Sequence, residues 1–313
     1  MFRTILAFVT LCLIWGSTWM AIKINLQAFP PFLSAGVRFL LAGAVMYMLL
    51  MIRRLSLPRD WRVLYPGMVF GVLNGISYGL VYWGEQFISS SLTAVSNAAL
   101  PFFSLVFAWL MVGEEITRWK VAGLVTGFAG ILVIFGDHIG AGSFAGGKAV
   151  YGQVAIVIAA AIYAFAGAHA KKHHQALDVH RVVTVQMLAS AAVLLLLGVF
   201  FEYRAPVEFS RPALLAFFYL SLIGSAMAFY LYNYLLQKME VSRVGYISFV
   251  TPVIATFLGV WLLKEELRVN LLVGMGFITC GIILLNRPGR PREAPAPAGN
   301  VEGGAKVEER GRG

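Results

Sequence analysis

The chain has 313 residues, 59% of them hydrophobic and 13% charged, and a formal net charge of +10. A soluble domain carries roughly 25% charged residues, so this composition, with a mean hydropathy of +0.77, excludes an ordinary soluble globular protein and a disordered one. The positive balance reads as a membrane-topology signal and not as a nucleic-acid footprint, and little room is left for a soluble catalytic domain.

A helix needs about 20 apolar residues to cross a bilayer. In chain order the apolar runs predict ten spans, near 4–24, 32–52, 63–84, 91–112, 117–136, 150–170, 181–201, 212–236, 243–263 and 269–286. The first imitates a secretory signal, with Arg3 ahead of the run Ile5 to Ile14. It continues through Trp15, Thr18 and Trp19 with no small-residue cleavage site, and reads as a retained span. The second contains Arg38. A charge inside the bilayer costs at least ~2.5–3.5 kcal/mol and is a functional candidate by default, against snorkelling or a structural bond to a carbonyl.

The third span carries Gly67, Gly71, Gly75 and Gly79 on one face, a seam for close helix packing. Asn74, Tyr78, Tyr82 and Glu85 form another stripe at helical spacing, which should avoid lipid and line a neighbour or a cavity. The fourth span brings Asn97, Pro101 and Ser104, and the ninth Ser248 and Pro252; each proline frees a backbone carbonyl one turn back. Glu114-Glu115 and Glu265-Glu266 sit where a span ends and read as stabilising the N-terminus of the following helix. No Asp or Glu lies deep in a span, so Glu85, at a span end, is the one coupling candidate. Cys12 and Cys280 lie in apolar runs without metal spacing and read as buried packing thiols. The tail, 287–313, is rich in Pro, Gly and charge and reads as a disordered cytoplasmic segment.

The chain repeats itself. An offset of 151 aligns Pro101 with Pro252, Glu114-Glu115 with Glu265-Glu266, Gly123 with Gly274 and Gly130 with Gly281. Earlier in each half, an offset of 148 aligns Lys23 with Lys171 and Arg38 with Gln186. The two units are 1–136 and 150–286. Five spans each is an odd number, so the second unit sits inverted in the membrane. The expected fold is an all-α polytopic membrane protein of ten transmembrane helices in two inverted five-helix repeats, with a substrate site between them. Lys and Arg concentrate on the side that puts both termini in the cytoplasm.

Three segments, IWGSTWMAIK at Ile14–Lys23, PPFLSAGVRFLLAGAV at Pro30–Val45 and the doubled Pro-to-Glu-Glu-to-Gly block, resemble the EamA-type transporters of the drug/metabolite transporter superfamily. The resemblance implies export of small metabolites, often amino acids, across a bacterial inner membrane by alternating access. It also makes Arg38 a usual family feature. It implies a cavity lined by the first, third, fourth, sixth, eighth and ninth spans, and so points to Trp15, Thr18, Trp19, Asn74, Tyr78, Asn97, Tyr163, Tyr232, Asn233 and Ser248. Tyr82 joins them through the third-span stripe, and Gln186 as the counterpart of Arg38. The partners implied are a small-molecule substrate and lipid; no cofactor or metal is called for, and monomer and homodimer both stay open.

Three rivals remain. The spacing His169-x-x-x-His173-His174 is similar to an iron box of membrane desaturases, but that family needs several such boxes and this chain has five histidines. A channel or passive facilitator is compatible with the missing deep carboxylate. An exporter of lipophilic cations should place negative charge near its site, where this chain offers Arg38 and aromatic rings.

Overall fold

The computed structural model describes residues 2–57, 60–88, 93, 96–135, 147–173, 177–254, 269–285 and 287. Among them every regular element is helical. In chain order these are α1 Phe2–Leu26, α2 Pro31–Ile52, α3 Trp61–Glu85, α4 Leu100–Val112, α5 Arg118–Phe135, α6 Lys148–His173 and α7 Val179–Glu202. Then come α8 Arg211–Lys238, with a π-helical turn at Leu222–Met227, α9 Val241–Ile254 and α10 Val269–Leu285. Six helices among the described residues are long and apolar enough to cross a membrane, namely α1, α2, α3 from Leu64, α6, α7 and α8. Many of their outward residues are large and apolar, among them Leu13, Met48, Phe200 and Leu215. Water would penalise such faces and lipid does not. The chain is an all-α polytopic membrane protein.

The fourth expected span differs from its sequence reading. Ser96 and Asn97 are helical, Ala98-Ala99 form a turn and helix resumes at Leu100, so Pro101 occupies the first turn of the second segment, where its missing N–H goes unused. The span is thus interrupted just before the proline. The ninth expected span is described as far as Ile254; residues 255–268, with Glu265-Glu266, lie outside the described residues, as does the tail from 288. Cys12 is buried as expected, but Cys280 is exposed, on the outward face of α10.

Small residues set the packing. The glycine seam of α3 lies along α7, with Gly67 against Val185, Gly71 against Ala189 and Gly75 against Val193. A methyl group on Gly71 would come 2.5 Å from the Gln186 carbonyl oxygen, so this approach requires glycine. Helices α2 and α7 run antiparallel, Gly36 against Leu195 and Gly43 against Leu188. So do α5 and α10, where Gly123 meets Gly281 and Gly130 meets Gly274.

Two buried carboxylates cap helix starts, whose first N–H groups have no intrahelical partner. At one end of the bundle Glu202 accepts from the backbone N–H of Phe32 (3.0 Å) and Leu33 (2.8 Å) of α2. At the other, Glu114 accepts from the N–H of Val241 (2.6 Å) and Ser242 (3.3 Å) and from the Ser242 hydroxyl (2.6 Å). Glu114 was expected to serve the helix that follows it. It caps α9 instead, because the α4–α5 turn packs against the start of that helix. Lys120 lies 3.5 Å from both Glu114 and Glu240, and Arg243 Nε donates to Glu240 at 2.8 Å. This cluster ties α4, α5 and α9 together at the end of the bundle where α1 begins.

Candidate functional site

A small cavity of about 60 Å³ lies among α1, α3, α4, α6 and α9. Trp15, Thr18 and Trp19 line it from α1, Ser77 and Tyr78 from α3, Asn97 from just before α4, Tyr163 from α6, and Ser248 and Thr251 from α9. Seven residues expected at the site from sequence therefore meet in one place. Ser77 and Thr251 were missed, although each lies one helical turn from an expected residue, Asn74 and Ser248. The Asn97 amide donates to the Ser248 hydroxyl at 3.4 Å. These two positions are separated by the repeat offset of 151, so equivalent positions of the two halves touch across the cavity wall.

Below Trp15 the cavity is closed by rings. Trp15 packs against Tyr232 (5.3 Å between centroids), Phe229 (5.7 Å) and Tyr163 (6.1 Å). The indole N–H groups of Trp15 and Trp19 are buried without a hydrogen-bond partner. An indole nitrogen only donates, and buried donors are normally satisfied.

Arg38, Asn74, Tyr82, Gln186, Tyr232 and Asn233 do not line this cavity. Arg38 is buried behind Tyr78, only 1% exposed, which removes snorkelling as an account of it. Its Nε donates to Ser225 Oγ (2.7 Å), one Nη to the Tyr82 hydroxyl (2.9 Å), and the other Nη to the Gly224 carbonyl (3.2 Å) in the π turn of α8. Its guanidinium also lies 5.3 Å from the ring centres of Phe39 and Tyr78. A π turn frees backbone carbonyls and is common at functional sites; here Arg38 takes one of them. In the second half the Asn233 amide donates to Gln186 Oε1 at 2.8 Å. Gln186 is Arg38 at offset 148 and Asn233 is Tyr82 at offset 151, so the pair recurs with the charge removed. The Asn74 amide donates to Ser190 Oγ at 2.9 Å and joins α3 to α7.

The lysines repeat as well. Lys23 Nζ donates to the carbonyls of Glu85 (2.8 Å) and Ile88 (2.9 Å) at the end of α3. Lys171 Nζ donates to those of Leu236 (2.7 Å) and Met239 (2.8 Å) at the end of α8. Each lysine binds the last carbonyls of a helix, which lack intrahelical donors.

A larger cavity, about 890 Å³, opens between the end of α3, the start of α2 and the end of α7. Phe29, Phe32, Trp83, Phe87 and Phe201 line it, and none of the expected site residues do. The smaller cavity is the better candidate because the convergent polar groups are there. His169 and His173 stack their rings at 4.3 Å, and among the described residues no group of three or more His, Cys, Asp or Glu could hold a metal.

The profile of the EamA-like transporter family matches residues 2–136 and again 150–287. The uncharacterized transporter YoaV of Bacillus subtilis (strain 168) is 26% identical over 285 residues, 91% of this chain and 97% of that one. The uncharacterized inner membrane transporter YedA of Escherichia coli (strain K12) is 29% identical over 296 residues, 92% and 94% of the two chains. A solved crystal structure superposes with a TM-score of 0.76 at 24% identity, covering 91% of this chain and 96% of that one, a likeness of fold.

Proposed function

Because this chain belongs to the EamA-like transporter family, and not to a family of enzymes, we propose that it is a secondary transporter that exports small zwitterionic metabolites such as amino acids across the cytoplasmic membrane by alternating access. Units 1–136 and 150–286 form two inverted repeats of five helices each, with both termini in the cytoplasm. Three observations support that arrangement. Equivalent helices pair antiparallel (α2 with α7, α5 with α10). The Gly123–Gly281 and Gly130–Gly274 contacts exchange under the offset of 151, as a two-fold relation requires. Asn97 meets its own counterpart, Ser248.

The observation that carries the function is the cavity at this junction, lined from both halves by side chains with hydroxyl, amide and indole donors. Such donors suit a carboxylate. No carboxylate lines the cavity among the described residues. Ligand pockets run to roughly 300–1,000 Å³, so a cavity of about 60 Å³ must widen to take a solute. At the cytoplasmic end the Glu114–Lys120–Glu240 cluster holds this form shut.

Tryptophan emission tests the reading. Adding the transported amino acid to purified protein is expected to change emission saturably, and the double variant Trp15→Phe/Trp19→Phe should lose most of that change. No saturable response to any common amino acid, from folded protein, would count against the substrate class.

A further inference from the structure

The two halves provide an internal control for one side chain. Lys23 and Lys171 make the same two-carbonyl clamp on the ends of α3 and α8. The clamped residue is Glu85 in the first half and Leu236 in the second. The clamp uses only the backbone carbonyl, so it does not explain the carboxylate.

Nor does any hydrogen bond explain it. Glu85 is fully buried, and neither carboxylate oxygen has a hydrogen-bond partner. Lys23 on α1 and Arg38 on α2 lie within electrostatic reach, but the hydrogen bonds described for both go to neutral oxygens. Tyr82, one turn earlier on α3, donates or accepts only toward Arg38 among the bonds described. From α6, Lys148 lies over the Phe87 ring at 5.9 Å; from α7, Glu202 is committed to the start of α2. Glu85 is thus a buried carboxylate with cations near it and no bonded partner. A charge in such a place interacts strongly over distance, and adding a proton removes it entirely. Val81, one turn before Glu85 on the same face of α3, lines the central cavity.

Resting on the transport reading above, we propose that Glu85 is a proton-binding site, and that its proton is exchanged for substrate in each transport cycle. The ionised carboxylate favours a substrate ammonium group in the cavity beside Val81. A proton entering from outside neutralises Glu85 and releases that group. The cycle is then antiport, in which inward proton flow drives export. Leu236 occupies the matching place in the other half, so one such site serves one cycle.

The test uses full-length protein in proteoliposomes, with Glu85→Gln and Glu85→Leu, the latter copying the second half and so expected to fold. Wild-type protein should show both counterflow and accumulation driven by a pH gradient. Both variants should lose driven accumulation at least tenfold, while counterflow at saturating substrate persists, with a weaker apparent affinity that no longer varies with pH. Substrate added to weakly buffered wild-type protein should release protons, and to Glu85→Gln should not. Driven accumulation surviving in Glu85→Gln would overturn the proposal. So would equal loss of counterflow and driven transport in folded variants, which would assign Glu85 to substrate binding or to the fold. Counterflow without any response to pH in wild-type protein would overturn this proposal alone, whereas absent counterflow would overturn the transport reading itself.

Discussion

A short thiol-specific cross-link between Glu114→Cys and Ser242→Cys, in a chain also carrying Cys12→Ala and Cys280→Ala, is expected to abolish transport, and cleaving the link to restore it. The two side chains meet at 2.6 Å where the α4–α5 turn caps α9. If the halves exchange conformations, this contact must open when the cytoplasmic end opens. A link at positions 97 and 248 would be a weaker test, because a two-fold exchange leaves the distance between equivalent positions unchanged. Each single cysteine variant should transport within a few-fold of the parent, since a helix cap contributes only about 0.5–2 kcal/mol. Transport that persists in the linked protein would show that this end does not open, and alternating access through it would fall.

Arg38→Met is expected to lower transport at least tenfold in protein that still folds. The substitution leaves the Ser225 hydroxyl, the Tyr82 hydroxyl and the Gly224 carbonyl without their donor. Each buried group left unsatisfied costs about 1–3 kcal/mol, but removing a charge from the bilayer returns ~2.5–3.5 kcal/mol or more. The net change in stability is therefore smaller than the loss of organisation. What disappears is the post that holds α2, Tyr78 of the cavity wall and the π turn of α8 together. Arg38→Lys keeps the charge but replaces a planar fork with one point donor, and should recover only part of the activity. Since Arg38 does not line the cavity in this form, the transport reading proposed above predicts that it acts by positioning. Its variants should lower the maximum rate more than the apparent affinity. Unchanged transport kinetics in Arg38→Met would remove it from the mechanism.

Much of this organisation was legible because helical spacing is local. The glycine seam of α3, the tryptophans of α1 and the Arg38/Gln186 equivalence could all be read from intervals along the chain. Partners distant in sequence could not. Nothing near Glu114 indicates that it caps a helix 127 residues later, and nothing near Arg38 indicates that a π turn offers it a carbonyl. Face assignment failed for a different reason. A lipid-facing surface is as apolar as a core, so the pattern that separates inside from outside in water loses contrast; Cys280 was placed in the core and lies on the surface. The stripe Asn74–Tyr78–Tyr82–Glu85 was found as a unit, but its members do different things. Asn74 joins α3 to α7, Tyr78 lines the cavity, Tyr82 holds Arg38, and Glu85 stands alone.

Counterflow in proteoliposomes tests the central claim most directly. Vesicles preloaded with an amino-acid mixture are diluted into trace labelled amino acids, and internal label is followed with time. A carrier that binds small zwitterions in the cavity between its halves predicts transient accumulation of label above the external concentration, saturating with load and absent from empty vesicles. Simple equilibration without an overshoot, from folded protein, would contradict a carrier and indicate a pore, and no uptake at all would contradict amino acids as the cargo.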